Sequence, residues 1–122
     1  MSSKIEVNFF REAPENAVTV AAGETVFHQG DPVDVMYGVH EGVVEVVHGD
    51  KVLETVESGG IFGEMALIDK SSRSASVVAV TDCKLIPIDR YAFEFRVQTN
   101  PVFALFVMQT MSDRIRRDNE RC

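Results

Sequence analysis

Short runs of β-branched and apolar residues alternate with turn residues along most of the chain. The turn residues include Ala22-Gly23, Gly49-Asp50 and Ser58-Gly59-Gly60. The apolar runs between the turns cover residues 18–20, 26–28, 43–48, 52–56, 76–80 and 84–88. Several short strands separated by turns at intervals of about 8–12 residues predict an all-β sandwich or barrel.

Both ends of the chain have helical patterns. Residues 4–13 predict an N-terminal helix that stops before Pro14. Asp89 is placed to cap a helix over residues 90–98, and Asn100-Pro101 is a typical start for a last helix. The first two turns of that last helix are apolar nearly all round, so it is expected to pack on more than one side.

One interval, residues 59–73, breaks the alternation of strands and turns. It contains no strand pattern, although the four residues Glu64-Met65-Ala66-Leu67 favour a short helix. Long excursions from a compact β-core usually carry function. The interval is therefore the predicted location of a functional site.

The residue types around this interval suit a small phosphorylated ligand that also carries hydroxyl groups. A helix starting after Gly63 would direct unpaired backbone N–H groups at an anion. Arg73 can hold a phosphate through two parallel hydrogen bonds, and Glu64 can accept a hydrogen bond from a sugar hydroxyl. Ser74 and Ala75 are small enough for backbone N–H groups to approach the ligand closely.

This segment resembles the phosphate-binding cassette of cyclic nucleotide-binding domains. Phe62-Gly63-Glu64-Met65-Ala66-Leu67 and Arg73-Ser74-Ala75 fill the fixed places of that motif, with matching spacing from Glu64 to Arg73. The resemblance extends over about residues 17–117 and implies a mainly β fold with flanking helices. The implied architecture is an eight-stranded, jelly-roll-like β-roll with an N-terminal helix, a short cassette helix and two C-terminal helices.

The resemblance also implies roles for individual residues. Arg73 would bind the phosphate, and Glu64 would bind the ribose 2′-hydroxyl. Ser74 would lie against the phosphate and near the purine. The purine would lie on apolar strand residues within 43–56, under the last helix. Arg114 of that helix is the candidate for a cation–π stack on the base, and two other arginines, 116 and 117, are alternatives. The predicted ligand-binding residues are Phe62, Gly63, Glu64, Met65, Ala66, Arg73, Ser74, Ala75 and Arg114.

Composition narrows the classes of function. The 122 residues carry a net charge of −7, which disfavours nucleic acid as a partner and makes Arg73 conspicuous beside the predicted anion site. The sequence contains neither an apolar run long enough to span a membrane nor the apolar core of a secretion signal. The only cysteines are Cys83 and Cys122, so we expect no structural disulfide and a reducing, cytoplasmic location.

Neither metal binding nor catalysis is predicted. His28, His40 and His48 have no compact metal-ligand spacing, and ordinary strand histidines explain them better. The nucleophile, P-loop and zinc-protease motifs are missing from the sequence, and no carboxylate pair is singled out for acid–base chemistry. The sequence therefore predicts a binding protein rather than an enzyme.

The predicted function is that of a single domain, residues 1–122, which senses a cyclic nucleotide. Within it, residues 17–88 would form the β-roll and residues 89–117 the C-terminal helices. The expected ligand is cAMP, with cGMP possible, and the expected response is a movement of the C-terminal helices. A protein partner or a homodimer formed through those helices is expected; a fragment of a larger protein and a scaffold that binds no nucleotide are the alternatives.

Overall fold

The structure is a computed structural model that describes residues 7–32, 34–65, 67 and 73–121, with side chains as far as residue 117. Within these residues, eight strands form two four-stranded antiparallel sheets, and two long helices follow them. The elements are β1 (Val18–Val20), β2 (Thr25–Phe27), β3 (Val35–Glu41), β4 (Val44–His48), β5 (Lys51–Val56), β6 (Ile61–Phe62), β7 (Ser76–Ala79), β8 (Cys83–Asp89), α1 (Arg90–Thr99) and α2 (Pro101–Arg121).

The chain passes repeatedly from one sheet to the other. One sheet has the strand order β1-β8-β3-β6, and the other has the order β2-β7-β4-β5. Only β4 and β5 are joined as a hairpin of consecutive, paired strands within the described chain. This topology confirms the predicted β-roll class.

The sheet that contains β3 and β8 is buried on both faces. Leu85 of β8 packs between the two sheets, whereas its neighbours Ile86 and Ile88 pack under the helices. Side chains alternate across a strand, so one strand serves two hydrophobic clusters. The helix-side cluster includes Phe103 and Val107 of α2. Val102 and Leu105 in the same turns are 42% and 53% exposed, so the expectation that this helix packs on more than one side is wrong within the described chain.

The two helices begin where the sequence predicts. The Asp89 carboxylate caps α1 by accepting a hydrogen bond from the Ala92 N–H at 2.8 Å. The second helix starts at Pro101, directly after Asn100 ends the first. In the described part of the chain, neither helix combines the length and hydropathy that a bilayer-spanning helix requires.

The predicted N-terminal helix is not seen where it can be checked. Residues 7–13 form turns and bends, while residues 4–6 lie outside the described chain. The Asn8 side chain accepts a hydrogen bond from the Phe10 N–H at 2.8 Å, a local contact that competes with helical hydrogen bonding. Phe9 and Phe10 then pack edge-on against Phe103.

Two strands were missed by the hydrophobic pattern. The central strand β3 contains Gly38, and the ring of Phe10 lies where a side chain at that position would be. The two-residue strand β6 falls inside the interval predicted to lack strands, and it pairs with β3 through Tyr37 and Gly38. A pairing this short depends on its tertiary partner and leaves no periodic signal.

Candidate functional site

Arg73 is fixed in place by its own backbone. Its N–H donates to the Asp31 carbonyl at 3.1 Å, and its carbonyl accepts from the Gly30 N–H at 2.8 Å. Both partners belong to the turn between β2 and β3. The turn therefore determines where the Arg73 side chain leaves the backbone.

The guanidinium of Arg73 faces inward, and the residue is only 8% exposed. Its Nη1 donates to the Gly63 carbonyl at 3.0 Å, its Nη2 donates to the Val35 carbonyl, and its Cζ lies 4.0 Å from the centre of the Phe27 ring. Its Nε is buried and has no hydrogen-bond partner among the described residues. One donor of the fork is thus unsatisfied, which is costly in a buried position.

Burial lowers the pKa of Arg73, and the nearby Tyr37, Asp34 and Glu64 only partly oppose that shift. An arginine nevertheless stays charged in a protein. The Arg73 guanidinium has lost much of its water and is hydrogen-bonded mainly to neutral carbonyls. Contact with an anion would therefore stabilise it more than it would stabilise an exposed arginine.

Gly63 allows Arg73 to come this close. Its φ is +75°, a conformation that favours glycine, and a Cβ at this position would lie 2.7 Å from the Arg73 Nη1 atom. The glycine is therefore required both by its backbone and by the neighbouring guanidinium.

Glu64, the residue predicted to bind ribose, is 3% exposed and is paired with Arg114 of α2. Arg114 also holds Glu54 of β5 in a bidentate contact, with Nε–Oε1 and Nη2–Oε2 distances of 2.8 and 3.0 Å. A further hydrogen bond runs from Nη2 to the Ile61 carbonyl, and Arg117 lies 3.4 Å from Glu54 Oε1. We call these side chains the Arg114 cluster.

Burial alone would lower the pKa of Arg114, but the hydrogen bonds and charges of Glu54 and Glu64 outweigh it, so the pKa is raised. The cluster brings α2, β5 and the segment after β6 together at one cation. Glu54 was missed by the sequence analysis, which treated its strand as an apolar surface for the purine. A lone glutamate in a strand is also typical of a solvent-facing position, so only its proximity to Arg114 identifies it.

The other predicted site residues lie around these two arginines. Phe62 is buried and stacks on Tyr37 at a centroid distance of 5.2 Å. Ala75 is buried, whereas Ser74 and Met65 are exposed. Met65 and Leu67 have helical backbone, in line with the predicted cassette helix, while Ala66 lies outside the described residues.

The structure also bears on two further predictions from the sequence, base capping and metal binding. The alternative base-capping residue Arg116 lies 3.5 Å from Asp113 on its own helix, and a stacking role for any of the three arginines stays a prediction. In the described chain, no group of three His, Cys, Asp or Glu side chains is arranged to hold a metal ion.

The two-sheet antiparallel roll, its C-terminal helices and a glycine–glutamate turn packed on a buried arginine together define a class of small ligand-binding β-roll domains. The comparison with known families is consistent with that class. The family described as cyclic nucleotide-binding domain matches residues 17–100, and the chain belongs to this family.

Individual relatives agree with this assignment. The cAMP-dependent protein kinase regulatory subunit of Eremothecium gossypii is 39% identical over 74 residues, which is 61% of this chain and 16% of the relative. The crystal structure of the Thermus thermophilus catabolite activator protein superimposes with a TM-score of 0.76 at 29% identity, over 87% of this chain and 52% of that one. The cAMP-bound form of the EAL enzyme Bd1971 gives a TM-score of 0.63 at 33% identity, over 85% and 29% of the two chains.

The chain spans only about a sixth of the kinase subunit and half of the activator protein. The match alone therefore does not assign the activities or partners of those longer proteins to this chain.

Proposed function

We propose that this protein is a sensor that binds cAMP and changes the position of its C-terminal helices in response. One observation supports this most strongly. Arg73 and Gly63 are ten positions apart in sequence, yet the guanidinium donates to the carbonyl that directly precedes Glu64. A cation suited to phosphate and a carboxylate suited to ribose thus lie beside one turn.

The phosphate would take the place of neutral partners on Arg73. A cyclic phosphodiester carries one negative charge, and a charge-assisted contact with guanidinium is worth about 1.5–3 kcal/mol. The unpaired Nε of Arg73 supports this role, because it leaves a donor available without the loss of an existing hydrogen bond.

The ribose would bind to Glu64 while that residue remains linked to α2. An ionised carboxylate offers about four acceptor positions, so Glu64 can accept from both Arg114 and a hydroxyl group. In this arrangement Glu64 is shared between the ligand and the last helix. The purine would lie on the β4–β5 side, with Arg114 near its face.

The response would be a population shift. A ligand moves an equilibrium only as far as its affinities for the two conformations differ. The contact between Glu64 and Arg114 provides a route for such a difference, and the break at Thr99-Asn100-Pro101 lets the two helices move separately.

The choice of cAMP over cGMP is supported by the names of the relatives, which specify cAMP for the kinase subunit and for the bound form of Bd1971. Ser74, the residue predicted to lie near the purine, is exposed and available for contact. Its hydroxyl group can also serve guanine, so cGMP is the ligand to test alongside.

We further infer that residues 1–122 act as one regulatory, non-catalytic domain in a reducing, cytoplasmic compartment. The buried free thiol of Cys83 supports the compartment. A scaffold that has lost nucleotide binding is the alternative function, and a fragment of a longer transcription factor or channel is the alternative context.

A homodimer formed through α2 is the proposed assembly. Leu105, Met108 and Ile115 lie on this helix and are each more than half exposed. With Ser112 they are spaced at three- and four-residue intervals, which is the seam pattern of a helix pair. An exposed apolar seam of this kind favours a second copy of the same helix.

Calorimetric titration with cAMP, cGMP and 5′-AMP tests the ligand assignment. We expect cAMP to bind, 5′-AMP to bind much more weakly, and Arg73→Ala to reduce the cAMP affinity by about tenfold to a few hundredfold, since a charged hydrogen-bond pair is lost. Arg11→Ala is the control, because it removes the same charge from an exposed side chain.

Circular dichroism of both variants checks that they are folded. Unchanged affinity in folded Arg73→Ala would remove Arg73 from the phosphate site. Failure of all three nucleotides to bind the unmodified chain would favour the scaffold.

A further inference from the structure

A second concave site lies on the helix side of the β3–β8 sheet. It is a groove of about 670 Å³ formed by the N-terminal segment, β8, α1 and the start of α2. Its lining is mainly apolar and aromatic, including Phe9, Ile88, Phe95 and Phe103. We call it the α1 groove, and it shares no lining residue with the site around Arg73 and Glu64.

The volume of the groove falls within the range of small-molecule sites. Such sites usually measure about 300–1,000 Å³ and combine apolar walls with a few polar groups. The polar residues of the lining lie at the ends of the flanking segments and include Asn8, Thr99 and Asn100. Two aromatic residues on α1, Tyr91 and Phe95, are 78% and 58% exposed, which leaves apolar surface for an occupant to cover.

Arg96 is the one charged residue among the described residues that line the groove. Its guanidinium lies 5.4 and 5.7 Å from the ring centres of Phe10 and Phe103. Burial lowers its pKa, and it has no ion pair or side-chain hydrogen bond in the described structure. The rings stabilise the positive charge but do not satisfy the N–H donors of the fork.

Arg96 lacks a carboxylate partner in the described structure, although the chain is acidic. Acidic side chains outnumber basic ones by 19 to 12. Arg90, on the same helix, is paired with Glu94 at 3.1 Å, and Arg116 of α2 lies 3.5 Å from Asp113. Arg96 lies in the last turn of α1, where its charge is favoured by the helix dipole, but that interaction leaves the guanidinium donors unused.

We propose that the α1 groove binds a small amphipathic carboxylate, with Arg96 pairing the carboxylate and the aromatic lining covering an apolar tail. The charge of Arg96 selects an anion, and its planar fork suits the two oxygens of a carboxylate. The apolar lining selects a ligand with a hydrocarbon or aromatic body. The assignment is independent of nucleotide binding, because the two sites share no residue.

The position of the groove gives such a ligand a way to influence the helices. Its lining includes Arg96 and Thr99 of α1, Asn100 between the helices, and Phe103 of α2. A bound ligand would contact both helices across the break and favour one arrangement of them.

The test uses 4-phenylbutyrate and its neutral analogue 4-phenylbutan-1-ol, each titrated into the ¹⁵N-labelled full chain by NMR. A ligand of this size at ordinary efficiency per atom binds with a Kd of about 1–5 mM. We expect saturable shifts at α1 and Phe103 amides with the acid and binding of the alcohol that is at least about tenfold weaker.

Arg96→Gln should remove the preference for the acid, whereas Arg116→Gln, with the same change in net charge at an exposed pair, should keep it. Equal binding of acid and alcohol, retained preference in Arg96→Gln, or no saturable shift with the acid below about 20 mM would each overturn the proposal. Should Arg96→Gln fail to fold, the comparison of acid with alcohol on the unmodified chain decides.

Discussion

Gly63 and Arg73 constrain each other at the scale of single residues. The glycine adopts a positive φ, and its missing side chain leaves the space that the Arg73 guanidinium occupies. These are two separate requirements, one from the backbone and one from a neighbour. Another glycine in the chain, Gly49, has a φ of +60°, and a Cβ added there would have no atom within 4 Å, so it shares only the first requirement.

Gly63→Ala and Gly49→Ala should therefore differ in their effects. We expect Gly49→Ala to lower the free energy of unfolding by about 1 kcal/mol, from the backbone alone. Gly63→Ala should lower it by about 2–3 kcal/mol, because the added methyl group also displaces the guanidinium. Urea denaturation measures both.

Cyclic nucleotide titration of the same two variants separates stability from binding. Gly63→Ala should weaken binding at least about tenfold by moving Arg73, while Gly49→Ala should leave it unchanged. Equal losses of stability and affinity in the two variants would show that Gly63 is required by its backbone only.

At the scale of elements, α2 is fastened to the roll by the Arg114 cluster. Arg114 makes a bidentate contact with Glu54 of β5 and a second contact with Glu64, and all three side chains are at most one-fifth exposed. By contrast, the ion pair of Arg90 with Glu94 within α1 is more than half exposed at both residues. A largely buried ion pair and a solvent-exposed one differ strongly in how much stability is lost when one partner is removed.

Glu54→Gln should loosen α2, since the neutral side chain leaves Arg114 with a weaker partner in a partly buried position. We expect a loss of about 1–2 kcal/mol in the free energy of unfolding and faster amide hydrogen exchange in the last turns of α2. Glu94→Gln, the exposed control, should cost less than about 0.5 kcal/mol. If both variants lose the same stability, Arg114 does not fasten the helix.

At the scale of the whole molecule, the exposed face of α2 sets the proposed assembly. Met108 is at the centre of the apolar seam and is 57% exposed. A charged residue there would have to be buried without a partner in a helix pair, which is costly.

Met108→Glu should shift the protein toward the monomer, with the dimer dissociation constant raised at least about tenfold. Light scattering coupled to size-exclusion chromatography measures the molecular mass over a range of concentrations. Val80→Glu, which places the same charge at an exposed apolar residue on a loop, should leave the mass unchanged. A dimer that survives Met108→Glu would exclude α2 as the interface.

The features of the fold that depend on local signals could be predicted from the sequence. The caps at Asp89 and Asn100-Pro101 and most strands follow from short-range patterns, and the class of fold followed from the cassette motif. The features that depend on contacts between residues distant in sequence could not be predicted. Strand β3 passes under Phe10 and therefore carries Gly38, strand β6 exists only through its pairing, and residues 7–13 are held by Asn8 and by packing on α2 rather than by helical hydrogen bonds.

The candidate site also contains residues that could be predicted from local sequence and residues that could not. The cassette residues were predicted because they are close in sequence and fit a known motif. Glu54 and the inward direction of Arg73 could not be predicted, since both depend on where β5 and the β2–β3 turn lie relative to the cassette.

The packing of Phe10 on Gly38 has a consequence for how this chain can evolve. Any residue larger than glycine at position 38 would overlap the aromatic ring, so a substitution there is tolerated only together with a smaller residue at position 10. Two sites far apart in the sequence are thus expected to co-vary, and a library that randomises position 38 alone will recover mostly glycine.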